Sequence, residues 1–98
     1  MKYDSVLTTA FKRELKIIKK RNKDLTKLTE VVNKLASGEE LDEKYRDHAL
    51  ANNLRFKDCR ECHIESDWLL VYKKSKGELT LFLIEKGTHS DLFWYFED

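Results

Sequence analysis

The stretch Arg60–Tyr72, RECHIESDWLLVY, decides the fold. Its first part belongs to a segment, Asp58–Glu65, in which Cys62 and Ile64 lie on one face and Glu61, His63 and Glu65 on the other, the pattern of a strand with one covered face. Its second part, Trp68–Tyr72, is apolar at every position, the pattern of a central strand covered on both faces. The stretch therefore predicts two consecutive strands of a sheet.

The flanking segments extend this sheet. Lys74–Gly77, KSKG, is typical of a hairpin turn and leads into a strand predicted over Leu79–Ile84. Near the N-terminus, Lys2–Leu7 is rich in strand formers and predicts a short first strand. Glu39–Lys57 is polar and irregular, so we expect a long loop there.

Two amphipathic helices are predicted between the first strand and this loop. Helical spacing of apolar residues defines a stripe on each, Phe11, Leu15 and Ile18 on the first and Leu25, Leu28, Val32 and Leu35 on the second. Thr8 or Thr9 is suited to cap the first helix, Asp24 to cap the second, and Gly38 to end it. The short connection between the helices favours an antiparallel hairpin.

The predicted fold class is therefore α+β, built from an N-terminal strand, an antiparallel two-helix hairpin and a three-stranded antiparallel meander. A length of 98 residues with 41% hydrophobic residues predicts one domain spanning residues 1–98. No apolar run approaches the roughly 20 residues of a membrane span. The N-terminal residues resemble no signal peptide, so we expect a cytoplasmic protein without membrane contact.

Charge is distributed unevenly along the chain. Residues 1–60 carry 15 Lys and Arg against 10 Asp and Glu, whereas residues 61–98 carry 4 against 8. A basic front half is typical of proteins that contact phosphate, although solvated helix faces give the same pattern.

The two cysteines, Cys59 and Cys62, form a CxxC. Odd spacing in a strand directs them to opposite faces, which argues against a shared zinc ion or a redox pair. A Cys2His2 site completed by His63 and His89 is the alternative. We expect no metal and no cofactor.

Three histidines, His48, His63 and His89, flank the ends of sheet elements. Histidine titrates near neutral pH, and each of the three has an aspartate nearby, Asp47, Asp67 or Asp91. The sequence has no nucleophile elbow, phosphate-binding loop or dinucleotide fingerprint. Histidines, aspartates and cations without a metal fit acid–base cleavage of RNA, in which the 2′-hydroxyl attacks the adjacent phosphorus.

The chain resembles the YafQ-like branch of the RelE/ParE toxin superfamily, the mRNA-interferase half of bacterial type II toxin–antitoxin modules. The residues that carry the resemblance are Tyr45–Leu50, YRDHAL; Phe56 and Lys57; Arg60–Tyr72; and Gly87–Phe93, GTHSDLF. The order of strands and helices also agrees.

The resemblance implies a ribosome-dependent endoribonuclease that cuts mRNA in the ribosomal A site. It also implies a cognate antitoxin of the DinJ or RelB type, through which alone operator DNA is contacted. The catalytic positions it implies are His48, His63, Asp67 and His89. The positions implied to bind RNA or stabilise the transition state are Lys57, Arg60, Lys86 and Phe93. Which residue is the base and which the acid stays open.

Two positions depart from the family pattern. Glu85 stands where the family usually has an arginine four residues before the last histidine, and Ser66 stands where it usually has proline. Because Glu85 repels phosphate, attenuated activity is one alternative. A ParE-like toxin that inhibits gyrase without RNA chemistry is another, against which the three histidines argue.

Overall fold

The computed structural model describes residues 2–50, 56–66 and 68–85, with the backbone alone at Glu85. Its helices and strands, in chain order, are β1 (Asp4–Leu7), α1 (Thr9–Lys20), α2 (Thr26–Ala36), a 3-10 helix (Glu43–Tyr45), β2 (His48–Ala49), β3 (Arg60–Glu65), β4 (Trp68–Ser75) and β5 (Glu78–Glu85).

The strands form one five-stranded sheet in the order β1-β5-β4-β3-β2. β1 runs parallel to β5, and the other neighbours are antiparallel. The α+β class and the meander of β3, β4 and β5 are confirmed. The expectation of an irregular loop over residues 39–57 is wrong for residues 43–49, which contain the 3-10 helix and β2.

β4 lies at the centre of the sheet, as its continuous apolar run predicts. Trp68, Leu70 and Tyr72 face the core that the two helices cover, while Leu69 and Val71 face a second cluster on the other side. All five side chains are buried. Because successive residues in a strand point to opposite faces, a strand covered on both faces must be apolar throughout.

Thr8 fixes the start of α1 and joins it to the sheet. Its hydroxyl oxygen accepts a hydrogen bond from the Phe11 backbone N–H at 3.1 Å, which confirms Thr8 as the cap. The same hydroxyl donates to the Leu81 carbonyl of β5 at 2.7 Å. The helix therefore lies on the sheet with Phe11 and Ile18 buried against it.

α2 agrees with its prediction except in two details. The cap position is Leu25, but the Asp24 carboxylate just before it accepts hydrogen bonds from the Thr26 N–H and hydroxyl. Val31 is fully buried, whereas Val32 is only half-buried. The apolar stripe thus lies slightly rotated from the one predicted.

Two glycines adopt the left-handed conformation that their positions require. Gly38 follows the end of α2 with a φ of 79°, and its N–H donates to the Leu35 carbonyl. Gly77 (φ 79°) and Lys76 (φ 50°) form the two-residue turn between β4 and β5. Positive φ at both turn residues is the geometry that matches the twist of a hairpin. Among the described residues, no helix is long and apolar enough to span a membrane.

Leu70→Ala is expected to lower the free energy of unfolding by about 2–5 kcal/mol, because Leu70 is fully buried in the central strand and its loss leaves a cavity. Leu7→Ala, at a position 40% exposed on β1, is the matched control and should change it by less than about 0.5 kcal/mol. Urea denaturation of both variants measures the difference, and equal losses would contradict this assignment of the core.

Candidate active site

Two of the three predicted catalytic histidines meet on the face of the sheet opposite the helices. β2 pairs with β3 so that His48 lies directly across from Glu61. His63 follows two residues later on the same face of β3. The ring centroids of His48 and His63 are 6.1 Å apart. His48, which was predicted to lie in a loop, thus lies beside the polar face of β3.

Glu61 lies between the two imidazoles. Its Oε1 is 3.5 Å from Nε2 of His63, and its Oε2 is 3.9 Å from Nε2 of His48. The residue is only 8% exposed. A buried carboxylate is costly unless charged or polar groups lie close to it, and the two imidazoles are such neighbours here. Such a carboxylate orients imidazole rings and stabilises their protonated form.

The backbone fixes the orientation of His48. Its Nδ1 lies 2.7 Å from the carbonyl oxygen of Arg46. A carbonyl only accepts hydrogen bonds, so this contact requires a proton on Nδ1 and leaves Nε2 on the side of Glu61. Arg46 adopts a φ of 51°, ends the 3-10 helix and donates its N–H to the Glu43 carbonyl. His48 is therefore held by a tightly wound segment.

Asp47 and Arg60 lie on the other side of the sheet from the histidines. The Tyr72 hydroxyl donates to Oδ1 of Asp47 at 2.6 Å, and Nε of Arg60 donates to the same oxygen at 3.2 Å. Tyr72 faces the helix-covered core. Asp47 is thus no partner of His48 despite their adjacency, and Arg60, predicted beside the site, is paired with Asp47 instead.

The pKa values of Tyr72 and Arg60 reflect this network. Burial, and then the hydrogen bond to Asp47, raise the pKa of Tyr72 above its usual range, so the phenol stays protonated and donates. Burial opposes the charge of Arg60, but its hydrogen bonds with Tyr72 and Asp47 outweigh burial and raise its pKa. Tyr72 and Arg60 consequently both keep their protons throughout the physiological range.

A β-bulge changes the direction of the end of β3. The register between β3 and β4 shifts between His63 and Glu65. Glu65 was predicted to share the face of His63, but its carboxylate instead lies 3.1 Å from Nζ of Lys27 on α2. A bulge adds one residue to the strand and so re-aims the side chains that follow. The sequence carried no signal for it.

The other predicted site residues are placed as follows. Lys57 is exposed in the turn that precedes β3. Asp67, Lys86, His89 and Phe93 lie outside the described residues, and their roles stay predictions. Glu85 pairs through its backbone with Trp68, which in turn pairs with Glu65, so the three positions form one row across the sheet.

The cysteines occupy opposite sides of the sheet, as their spacing predicts. Cys62 belongs to the helix-covered core and Cys59 to the second cluster, and neither is in a disulfide. Burial raises the pKa of Cys62 to about 12, so its thiol is poorly suited to bind metal. Within residues 2–50, 56–66 and 68–85, no group of three His, Cys, Asp or Glu is arranged for a metal ion.

The sequence did not identify Glu61 as a candidate site residue. It placed Glu61 on the same face as His63, which is correct, but gave it no part in the site. The missing information was the pairing of β2 with β3, which brings a second histidine to the same carboxylate.

A five-stranded sheet with two helices on one face and His48 and His63 on the other agrees with the RelE/ParE-type toxin fold that the resemblance implies. The family model described as "Bacterial toxin of type II toxin-antitoxin system, YafQ" matches residues 3–94. The chain therefore belongs to the YafQ family of bacterial type II toxin–antitoxin toxins.

Individual relatives agree with this assignment. The mRNA interferase toxin YafQ of Escherichia coli BL21-DE3 is 34% identical over 84 residues, which cover 85% of this chain and 87% of the relative. YafQ in the E. coli DinJ–YafQ complex has a TM-score of 0.76 at 29% identity, covering 87% of this chain and 94% of that one. A copper-bound mutant toxin from Helicobacter pylori has a TM-score of 0.81 at 35% identity, covering 93% and 99%.

Tyr72→Phe is expected to lower the free energy of unfolding by about 1.5–3 kcal/mol, because it removes a buried hydrogen bond to a charged carboxylate. Asp47→Asn keeps an acceptor oxygen and should cost less. Tyr45→Phe is the matched control, since the buried Tyr45 hydroxyl has no hydrogen-bond partner within the described part of the chain. Thermal unfolding compares the three variants, and an equal loss for the two tyrosine variants would contradict the network.

Proposed function

We propose that this chain is an endoribonuclease that cuts mRNA in the ribosomal A site and is neutralised by a cognate antitoxin. The observation that carries the proposal is the buried Glu61 carboxylate with Nε2 of His48 and His63 on either side. Family membership supports it, because the curated relatives are named mRNA interferases. The DinJ–YafQ complex supports an antitoxin of the DinJ type as the partner.

The proposed reaction needs a base, an acid and a cation. The base takes the proton of the ribose 2′-hydroxyl as its oxygen forms a bond to the adjacent phosphorus. The bond from phosphorus to the 5′-oxygen breaks, and the acid protonates that oxygen. The products are a 2′,3′-cyclic phosphate and a 5′-hydroxyl, so no water or cofactor enters this step.

His48 and His63 are the proposed proton carriers among the described residues. Two imidazoles 6.1 Å apart lie within reach of one phosphodiester linkage. Since Nδ1 of His48 is committed to the Arg46 carbonyl, its Nε2 exchanges the proton. Glu61 stabilises whichever ring is protonated, as a carboxylate does in other acid–base sites. Asp67 and His89, implied by the resemblance, complete the proposed set.

Glu85 favours weakened catalysis over loss of function. It replaces the cation that the resemblance expects beside the phosphorane, and losing a comparable transition-state donor typically costs about 10²–10³ in rate. The histidine pair and its carboxylate are nevertheless in place. A gyrase-inhibiting binding protein has no need of two histidines on one buried carboxylate.

The test of this function is induced expression of the chain with and without its antitoxin, followed by mapping of mRNA ends on ribosomes. Growth arrest with cleaved mRNA, new ends bearing 5′-hydroxyls and relief by the antitoxin are expected. Arrest with intact mRNA would contradict the nuclease and favour ParE-like action. Absence of arrest would favour the attenuated alternative.

Glu61→Gln is expected to reduce the single-turnover cleavage rate at least tenfold, because a neutral amide does not stabilise an imidazolium. Binding to ribosomes should be unchanged, and His63→Ala should lose activity altogether. Glu78→Gln, which removes an exposed carboxylate of β5, is the matched control. A Glu61→Gln rate within twofold of the parent chain would remove Glu61 from the mechanism.

Glu85→Arg is expected to increase the cleavage rate by about tenfold or more, because it supplies the missing cation and removes a repelling carboxylate. The rate on programmed ribosomes measures the gain, with Glu85→Gln separating the loss of repulsion from the addition of a cation. A decrease in rate for Glu85→Arg would show that position 85 has another role in this chain.

A further inference from the structure

A cavity of about 380 Å³ lies along β3, immediately beside His63. β2 pairs only with Arg60 and Glu61, so the edge of β3 beyond it is left open to this cavity. Lys27 of α2, Lys44 and Arg46 of the 3-10 segment, and Glu65 at the end of β3 contribute its charged lining. The cavity therefore adjoins the histidine face without including His48 or Glu61.

Among the described residues that line the cavity, cations outnumber carboxylates. The cations are Lys27, Lys44 and Arg46, and the carboxylate is that of Glu65. The Glu65 carboxylate is paired with Lys27 at 3.1 Å. Within the described residues, Lys44 and Arg46 form no ion pair with a carboxylate. Two cations with no carboxylate partner among the described residues, beside His63, are a charge pattern that attracts phosphate.

Lys44 and Arg46 are held by the 3-10 segment. Lys44 lies in the 3-10 helix with its Nζ 5.2 Å from the centroid of the buried Tyr45 ring. Arg46 ends that helix, and its carbonyl accepts the hydrogen bond from His48. The residue that brings a cation to the cavity thus also orients a catalytic histidine. Binding sites on such coupled, rigid segments are preorganised for their ligand.

We propose that this cavity binds the nucleotide of the substrate RNA next to the cleaved bond, with a backbone phosphate against Lys44 and Arg46. The inference rests on the proposed nuclease function and names the part of the substrate that the cavity takes. Its volume is within the range of about 300–1,000 Å³ that is typical of small-molecule sites. An occupant here is adjacent to His63, which places its phosphodiester linkage at the proton carriers.

The same cavity accounts for how a chain with Glu85 still attracts phosphate. Glu85, Trp68 and Glu65 lie in one row across three strands, so Glu85 is on the far side of that row from the cavity. Lys44 and Arg46 approach the open edge of β3 from the 3-10 segment instead. The cavity that would bind phosphate before the reaction is therefore separate from position 85, where the family usually has its arginine.

The test is an NMR titration of the purified chain with adenosine 3′,5′-bisphosphate, which has no bond between nucleotides that could be cleaved. The amide signals of Lys44, Arg46, Ile64 and Ser66 should shift saturably. Lys44→Gln and Arg46→Gln should each weaken binding by about 5- to 10-fold and lower its salt dependence. Lys16→Gln, which removes an exposed cation of α1 away from the cavity, should leave the affinity unchanged.

Glu65→Gln removes the carboxylate from the cavity and should tighten binding of the bisphosphate about 2- to 3-fold. An unfolded variant cannot bind more tightly than the parent chain, so this result shows that substitutions in the cavity act on binding and not on folding. Equal affinity for the parent chain, Lys44→Gln and Arg46→Gln would overturn the proposal, as would absence of bisphosphate binding. Inorganic phosphate that binds as tightly as the bisphosphate would overturn the nucleotide assignment. Cleavage of mRNA is measured separately. If the parent chain cleaves mRNA but the Lys44 and Arg46 variants bind the bisphosphate as well as the parent does, only this inference is wrong. If those variants bind it more weakly but the parent chain does not cleave mRNA, only the proposed nuclease function is wrong.

Discussion

The pairing of β2 with β3 is the constraint on which the site depends. Only two residues of β2 take part, and they place His48 across from Glu61 and Ala49 across from Arg60. Because side chains alternate along a strand, Asp47 then lies on the helix side and His48 on the opposite side. The hydrogen bonds of Asp47 to Tyr72 and Arg60 hold one side of this short strand, and the Arg46 carbonyl orients His48 on the other. Two residues of pairing are sufficient because both flanks are fixed.

Sequence patterns predicted the elements whose period extends over many residues. The stripes containing Phe11 and Ile18 on α1, and Leu28 and Leu35 on α2, are buried as expected. The apolar run beginning at Trp68 is the central strand. These patterns are informative because each apolar residue indicates which face of the element is buried. Several apolar residues with the same spacing fit only one type of element and one buried face.

The remainder of the site could not be predicted because it arises from contacts between distant residues. Two residues are too few to show the alternation of polar and apolar residues that identifies a strand, so β2 could not be recognised within its polar segment. The role of Glu61 depends on β2, and the pairing of Arg60 with Asp47 depends on Tyr72, 25 residues from Asp47. The bulge that turns Glu65 toward Lys27 is a local irregularity of β3. The resemblance supplied His48 and His63 as site residues, but their shared carboxylate came from the geometry.

The uneven distribution of charge acquires a physical meaning in this fold. The excess of cations in residues 1–60 is partly used internally, since Arg60 neutralises Asp47 and Lys27 neutralises Glu65. Lys44 and Arg46 remain directed at the cavity beside His63. On the histidine face, Glu61 is buried with the imidazoles of His48 and His63 on either side. In the proposed reaction, this negative charge is compatible with binding of a polyanion, because the two imidazoles, and not the phosphate, are the groups nearest the carboxylate.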